Sequence, residues 1–302
     1  LYNRVGYMSF KSGFVAIIGR PNAGKSTLLN FILGEKISIV SRKPQTTRNV
    51  IRGVKNLPEA QVVFIDTPGI HKPKGLLNEF MVKGALSAVK DVDCVIYLLD
   101  STKGSGEEEE FILENLKAVR CPVILVINKV DVVEKQKLLP LIERFSKEFS
   151  FKDIVPISAL TGDGVGALMD CVEKTLPEGP KYFPEDELTD QPERFIVAEM
   201  IREKIFRLTQ EEVPYSTAVM VEEWKEREGK NLIYIRAMIA VERDSQKAII
   251  IGKKGDMLKK IGSEARTDIE SLLGAKVFLE LFVKVEKEWT KKKGILKEFG
   301  YE

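Results

Sequence analysis

Eight residues, Gly19-Arg20-Pro21-Asn22-Ala23-Gly24-Lys25-Ser26, constrain this 302-residue chain more than any other feature. They satisfy G-x-x-x-x-G-K-[ST] and lie between an apolar run, Val15-Ala16-Ile17-Ile18, and a segment of helical period. A strand, a glycine-rich turn and a helix N-terminus in that order form a cradle of backbone N–H groups for phosphate oxygens. Gly19 and Gly24 permit close approach, and Arg20, Pro21, Asn22, Ala23 and Thr27 complete the phosphate-binding set. Lys25 brings a catalytic cation to the β and γ phosphates, and the Ser26 hydroxyl is suited to Mg²⁺. The surrounding fold must be α/β, because such a loop works at the carboxyl end of a strand in a βα unit.

The pattern around the loop agrees. Apolar runs at 15–19, 50–54, 62–66, 94–100, 123–128 and 154–158 alternate with helical periods at 25–33, 78–90, 107–118, 135–149 and 165–176. This predicts a largely parallel sheet covered on both faces. Between 177 and 192 the periodicity stops, and four of the 13 prolines gather at positions 177, 180, 184 and 192, which reads as a linker over 178–192. Beyond it the order is α-β-β-α-α-β, with helices at 197–210, 246–251 and 256–273 and strands at 216–226, 232–241 and 276–285. The expected organisation is therefore an α/β domain over 9–177 and a smaller α+β domain over 193–302 with a C-terminal tail. The seven residues before Met8 carry no signal-type apolar stretch and are expected to lie outside the fold.

Three further elements follow the loop at successive strand ends. Asp66-Thr67-Pro68-Gly69 ends the run Val62-Val63-Phe64-Ile65; Asp66 can hold Mg²⁺ through water, and Gly69 can offer its N–H to a γ-phosphate. Asn128-Lys129-Val130-Asp131 ends Val123-Ile124-Leu125-Val126-Ile127. The Asp131 carboxylate only accepts hydrogen bonds, which matches the N1–H and N2–H₂ donors of guanine and not the edge of adenine. Ser158-Ala159-Leu160 then offers backbone N–H groups to guanine O6. These elements point to GTP and GDP, not ATP. Where a water-orienting Gln would follow D-x-x-G stands Ile70, so slow intrinsic hydrolysis is expected. His71, the only histidine, is read as a solvated loop residue rather than a base.

With these motifs the first half resembles the translation-factor-related class of GTPases, which implies a Ras-like fold with a six-stranded, mostly parallel sheet. The resemblance also implies a switch threonine that completes the Mg²⁺ shell and takes part in catalysis; in Gln45-Thr46-Thr47-Arg48 that residue is Thr47. Asn22 resembles the asparagine by which some such GTPases bind K⁺, so K⁺ is a possible second cation.

In the second half, Ile251-Gly252-Lys253-Lys254-Gly255 lies between two helical segments, with Lys259 one turn further on. Glycines that admit a sugar-phosphate chain, lysines that neutralise it and an aliphatic groove describe a KH-type RNA-binding loop, and the element order is that of a type II KH domain. Net charge over the chain is only +2, but residues 247–297 hold 13 Lys and Arg against seven Asp and Glu, whereas 193–246 hold nine against 11. The basic surface is on the G-K-K-G side. Cys94, Cys121 and Cys171 are odd in number and widely spaced, so a disulfide framework or zinc site is not expected, and no apolar run approaches the roughly 18 residues of a membrane span.

Taken together, Glu35-Lys36-Ile37-Ser38-Ile39-Val40, Asp66 to Pro73, the G-K-K-G loop, and a tail with Trp289 and Phe299-Gly300-Tyr301 resemble the Era family over about residues 9–302. That resemblance implies a cytoplasmic, monomeric bacterial GTPase that binds the 3′ region of small-subunit (16S) rRNA and acts in 30S subunit assembly, with peripheral inner-membrane association as a further expectation. A signalling GTPase with a protein- or membrane-binding second domain is the alternative.

Overall fold

The structure, a computed structural model, describes residues 10–41, 43–104, 106–226 and 231–301. Residues 1–9, including the seven set aside above and the expected start at residue 9, lie outside the described residues, as does residue 302. The chain divides into two compact units, the first made of residues up to 38, 49–72 and 82–190, the second of 39–48, 73–81 and 191–302.

The first unit is a six-stranded sheet with the order β2 (Ile51–Asn56), β3 (Ala60–Asp66), β1 (Lys11–Gly19), β4 (Cys94–Asp100), β5 (Val123–Asn128) and β6 (Asp153–Pro156). Only β2 runs antiparallel, against β3. Every residue of β3, β4 and β5 is buried, as the near-continuous apolar runs require of strands covered on both faces. The covering helices are α1 (Lys25–Leu33), α2 (Leu76–Ser87), α3 (Glu107–Leu116), α4 (Leu138–Glu148) and α5 (Val165–Thr175). Helix α3 opens on Glu107 to Glu110, four carboxylates at the positive end of the helix dipole, and Glu109 accepts the Gly106 N–H at 2.9 Å. Tyr97, Leu125, Ile127, Ile112 and Phe145 fill one side of the sheet.

The second unit is built on α6 (Glu193–Leu208), β7 (Ala218–Glu226), β8 (Leu232–Val241), α7 (Asp244–Ile251), α8 (Asp256–Leu273), β9 (Lys276–Val285) and α9 (Lys293–Glu298). Its sheet has the order β7-β8-β9, with β7 antiparallel and β9 parallel to β8. One sheet face packs on α6, α7 and α8 through Ile201, Ile205, Ile239, Ile250, Ile261 and Ile269, all fully buried. Part of the other face is covered by the tail: Trp289, Leu296 and Tyr301 lie against Met238 and Ala240. Trp289 donates its indole N–H to the Ser216 carbonyl at 2.8 Å and stacks on Tyr301 at 5.9 Å. The tail carries a 3₁₀ turn over Trp289–Lys291 and then α9.

Two expectations about organisation need revising. The stretch 178–190 is not a free linker but part of the first unit. Buried Gln61 on β3 accepts the N–H groups of Tyr182 and Phe183 at 2.7 and 3.0 Å and donates to the Phe183 carbonyl, and Val54 N–H reaches Leu188 O. The prolines remove donors, and Gln61 satisfies two of those that remain. Nor are the units consecutive in sequence. Segment 39–48 belongs to the second unit, where Arg48 is 4% exposed. Its guanidinium donates to the carbonyls of Thr217, Pro214 and Tyr215 and lies 5.8–5.9 Å from the rings of Phe206, Trp289 and Tyr301. Arg202 donates to the Thr46 carbonyl at 2.5 Å, and Glu203 accepts the Val40 N–H at 3.1 Å. Leu77 and Met81, on the first half of α2, join the cluster of Trp289 and Leu296.

Candidate functional site

In the first unit the sheet register brings the motif residues to one edge. Asp66 pairs with Ile17 across β3 and β1, Gly19 with Leu98 across β1 and β4, and Asp100 with Asn128 across β4 and β5. The carboxyl ends of parallel strands thus meet where α1 begins, the position at which open α/β sheets bind ligands. Gly24, which leads into α1, has φ +103°, and a Cβ there would sit 2.3 Å from Asn128 Nδ2. Only glycine meets both conditions.

Lys25 is buried and donates to the carbonyls of Gly19 at 3.2 Å and Arg20 at 2.9 Å, which draws its ammonium across the mouth of the loop. Burial, opposed by the nearby Asp66 charge, lowers its pKa to about 8. Arg20 turns the other way: its guanidinium donates to Glu108 at 2.5 Å and Glu109 at 2.8 Å, so its part in a phosphate cradle is played by its backbone.

Asp66 is fully buried. Its Oδ2 accepts the hydroxyls of Ser26 at 2.6 Å and Ser38 at 2.9 Å, while Oδ1 has no hydrogen-bond partner among the described residues. Burial pushes this carboxyl above its ordinary range, against the pull of Lys25 and the two hydroxyls. A buried carboxylate oxygen without a partner, beside a serine hydroxyl and a lysine, fits a hard divalent cation that takes oxygen ligands and keeps some of its water. Ser26 and Asp66 therefore suit Mg²⁺. Thr67 donates its hydroxyl to Ile17 O at 2.8 Å, and Pro68 and Gly69 carry the turn to the phosphate loop, where Ile70 N–H reaches Gly19 O at 3.0 Å.

Asn128 joins the loop to the base-side residues: it donates to Ala23 O at 2.7 Å and accepts Ala159 N–H at 2.9 Å. Lys129, in the left-handed region at φ +68°, pairs with Asp100 at 2.6 Å. Burial opposes ionisation of Asp100, but the hydrogen bonds from Lys129 and Thr102 prevail and hold its pKa below the ordinary value. Asp131 lies exposed in the turn Val130–Val132, Ser158 and Ala159 are buried, and Leu160 is exposed. Thr47 is buried in the second unit.

Two sequence readings of the D-T-P-G region meet different fates. Ile70 is fully buried in the sheet core, so its side chain is far from any role with water. His71, expected in solvent, is 7% exposed, and its Nδ1 lies 2.9 Å from Gly69 O.

In the second unit, α7 stops at Gly252 (φ +75°) and α8 starts after Gly255, with Lys253 and Lys254 exposed between them. Lys254 holds the left-handed conformation at φ +54°, so this is a tight projecting loop. Ile251 packs at the margin of the core. From the loop runs an open groove of about 460 Å³ lined by Leu258, Lys259, Gly262, Ser263, Arg266 and, from β9, Leu279 and Leu281 together with Gly255.

Sequence reasoning missed Asp100, Ser38 and the groove residues beyond Lys259. Asp100 carries the same signal as Asp66, an acid closing an apolar strand. Ser38 and Gly262 carry none, since only tertiary contacts give them meaning.

Residues 14–129 match the family profile described as "50S ribosome-binding GTPase", and residues 212–290 match the KH domain profile. GTPase Era of Geobacter metallireducens is 61% identical over 97% of this chain and 98% of its own length, and GTPase Era of Geotalea daltonii is 59% identical over the same shares. The chain belongs to the Era GTPase family. A crystal structure of Era in complex with MgGDPNP and nucleotides 1506–1542 of 16S ribosomal RNA superposes with a TM-score of 0.94 at 46% identity, covering 97% of this chain and 99% of that one. An Aquifex aeolicus Era variant bound to GDP·AlF₄⁻ gives 0.93 at 45%, with the same coverage. The Ras-like fold and the KH fold follow for the two parts, and GTPase activity with GTP, GDP and Mg²⁺ belongs to the family.

Proposed function

We infer that this Era-family chain is a slow GTPase whose second unit binds single-stranded RNA near the 3′ end of small-subunit rRNA during 30S assembly. The observation that carries the reading is the presence, in one chain, of a guanine-type site and a projecting G-K-K-G loop opening on an aliphatic groove. The solved Era complex with 16S rRNA favours the small subunit over the large subunit named in the GTPase-domain profile. Crosslinking to small-subunit rRNA with a GTP analogue bound should map to that 3′ region; crosslinks confined to other rRNA, or none, would reject the reading.

In this account the backbone N–H groups along residues 19–27, Pro21 excepted, hold the phosphates, Lys25 neutralises charge between the β and γ groups, and Asp131 reads the guanine edge. Asn128 keeps the phosphate and base segments in register, and Ser158 to Leu160 close the base side. Ser26, and Asp66 through water, would hold Mg²⁺, which when bound would supply charge neutralisation on the phosphates. Catalysis rests on positioning, since Ile70 leaves the turn without a water-orienting side chain. Asn22, at φ +65°, is the proposed K⁺ ligand; equal hydrolysis rates in NaCl and KCl at saturating Mg²⁺ would remove K⁺ from the account.

RNA binding follows the loop: Gly252 and Gly255 admit the backbone, Lys253, Lys254 and Lys259 meet phosphates, and Ile251 supports the floor. The two activities are coupled, so RNA affinity should differ between GDP and a non-hydrolysable GTP analogue. No helix among the described residues is long and apolar enough to cross a membrane. A cytoplasmic monomer with peripheral inner-membrane association completes the proposal, to be checked by light scattering and vesicle flotation.

A further inference from the structure

The D-T-P-G turn is pinned to the phosphate loop at several points within the first unit. The Thr67 hydroxyl donates to Ile17 O at 2.8 Å, and Ile70 N–H donates to Gly19 O at 3.0 Å. Gly69 presses on the loop so closely that a Cβ would lie 2.6–2.7 Å from Pro21 N, Cα and Cγ. The peptide unit between Gly69 and Ile70 is thus held by its N–H. Its other end is the Gly69 carbonyl, and 2.9 Å from that oxygen lies Nδ1 of His71. A carbonyl oxygen only accepts, so the ring nitrogen facing it carries the proton.

A planar peptide fixed at both its N–H and its C=O cannot rotate without losing one of the two bonds. The Gly69 N–H belongs to the preceding peptide, Pro68–Gly69, which is joined to this fixed unit at the Gly69 Cα and bounded on its other side by the anchored Thr67, so it has little freedom left. In the reading above it is the group that meets the γ-phosphate. We propose that His71 is a positioning residue for GTP hydrolysis: its Nδ1–H holds the Gly69 carbonyl and thereby sets the direction of the Gly69 N–H. The buried ring is turned toward its own backbone, which leaves Nδ1 no part in taking a proton from water. The role is a hydrogen bond donated in either protonation state. Phosphoryl transfer depends on placement to within fractions of an ångström, so a lost anchor lowers the rate without altering the chemistry.

The inference makes GDP and GTP respond differently, because GDP has no γ-phosphate to meet Gly69. His71→Leu keeps apolar volume and removes the donor. His71→Asn offers an amide N–H at about the position of Nδ1. Single-turnover hydrolysis should fall about tenfold or more in His71→Leu, with weaker affinity for a non-hydrolysable GTP analogue and unchanged affinity for GDP. His71→Asn should recover to within about threefold of the parent. Unchanged GDP affinity also reports that the site is folded. Parent-like hydrolysis in His71→Leu would overturn the proposal. So would an equal loss of GDP and analogue affinity, which assigns His71 to packing alone, or an Asn variant as slow as the Leu variant.

Discussion

The phosphate loop and the G-K-K-G groove use the same residue types, glycines and lysines, for the ligand roles proposed above, but present them in opposite ways. Lys25 is 6% exposed and anchored on two carbonyls; Lys253 and Lys254 stand in solvent on a loop that folds without them. Asp66 and Asn128 are knitted into the fold through Ser26, Ser38, Ala23 and Ala159. No hydrogen bond or ion pair engages the side chains of Lys253 or Lys259 among the described residues. A site that must hold a small charged ligand in one geometry is preorganised at the expense of tolerance. A surface that meets a flexible polymer keeps its charges free, and its residues can be changed without disturbing the core.

Asp131 is the exception that tests this contrast, since it is exposed yet is proposed to read the guanine edge. Asp131→Asn should lower GDP affinity by about 10²-fold or more and favour xanthine nucleotides, whose edge matches an amide, while leaving the melting temperature alone. Competition between GDP and XDP measures it, and retained guanine preference would break the assignment. Next in size, Lys253→Glu with Lys254→Glu should weaken RNA binding by about 10- to 100-fold at low salt, with a log–log salt dependence shallower by about 1 to 2. Its thermal unfolding should match the parent; a lowered melting temperature would mean the loop is structural.

Asn128→Ala tests the opposite pole. Removing the side chain strands the buried Ala23 carbonyl and Ala159 N–H, so the first unit should lose about 1–3 kcal/mol in denaturant unfolding, together with nucleotide affinity. The smallest effect is one of pH. Burial holds Lys25 near pKa 8 in the free protein, and phosphate restores its charge, so the bound value is higher. Nucleotide affinity should be full below pH 8 and fall as pH rises past it, by at most about tenfold per unit, with proton uptake on binding seen by calorimetry in two buffers. A flat profile from pH 7 to 9 would mean the ammonium is already fully charged without ligand.

Much of this contrast is legible in the amino-acid order. The phosphate loop, the acid at the end of β3, the N-K-x-D run and the G-K-K-G loop each occupy a strand end or helix junction that local periodicity reveals. What stayed hidden depends on the exact path of a turn or on distant partners. His71 looked solvated because Lys72, Pro73 and Lys74 follow it, and the carbonyl that draws it inward belongs to its own turn. The stretch 178–190 looked like a linker because its own sequence lacks period; its order comes from Gln61. Arg48 in a Ser/Thr/Pro-rich loop gave no sign of an aromatic enclosure built by Phe206, Trp289 and Tyr301, more than 150 positions away.

That enclosure bears on how the polypeptide is made. Translation proceeds from the N-terminus, and domains generally fold as their sequence emerges. Segments 39–48 and 73–81 leave the ribosome long before residues 191–302, the rest of the unit they complete. During that interval Arg48, Leu77 and Met81 lack the partners that residues 191–302 supply, among them Thr217, Trp289 and Leu296. The nascent chain therefore carries two unfinished strips for most of its synthesis. Cutting the gene at residue 192 would not yield a finished second unit, because the fragment would expose Trp289 and Leu296 where those strips belong.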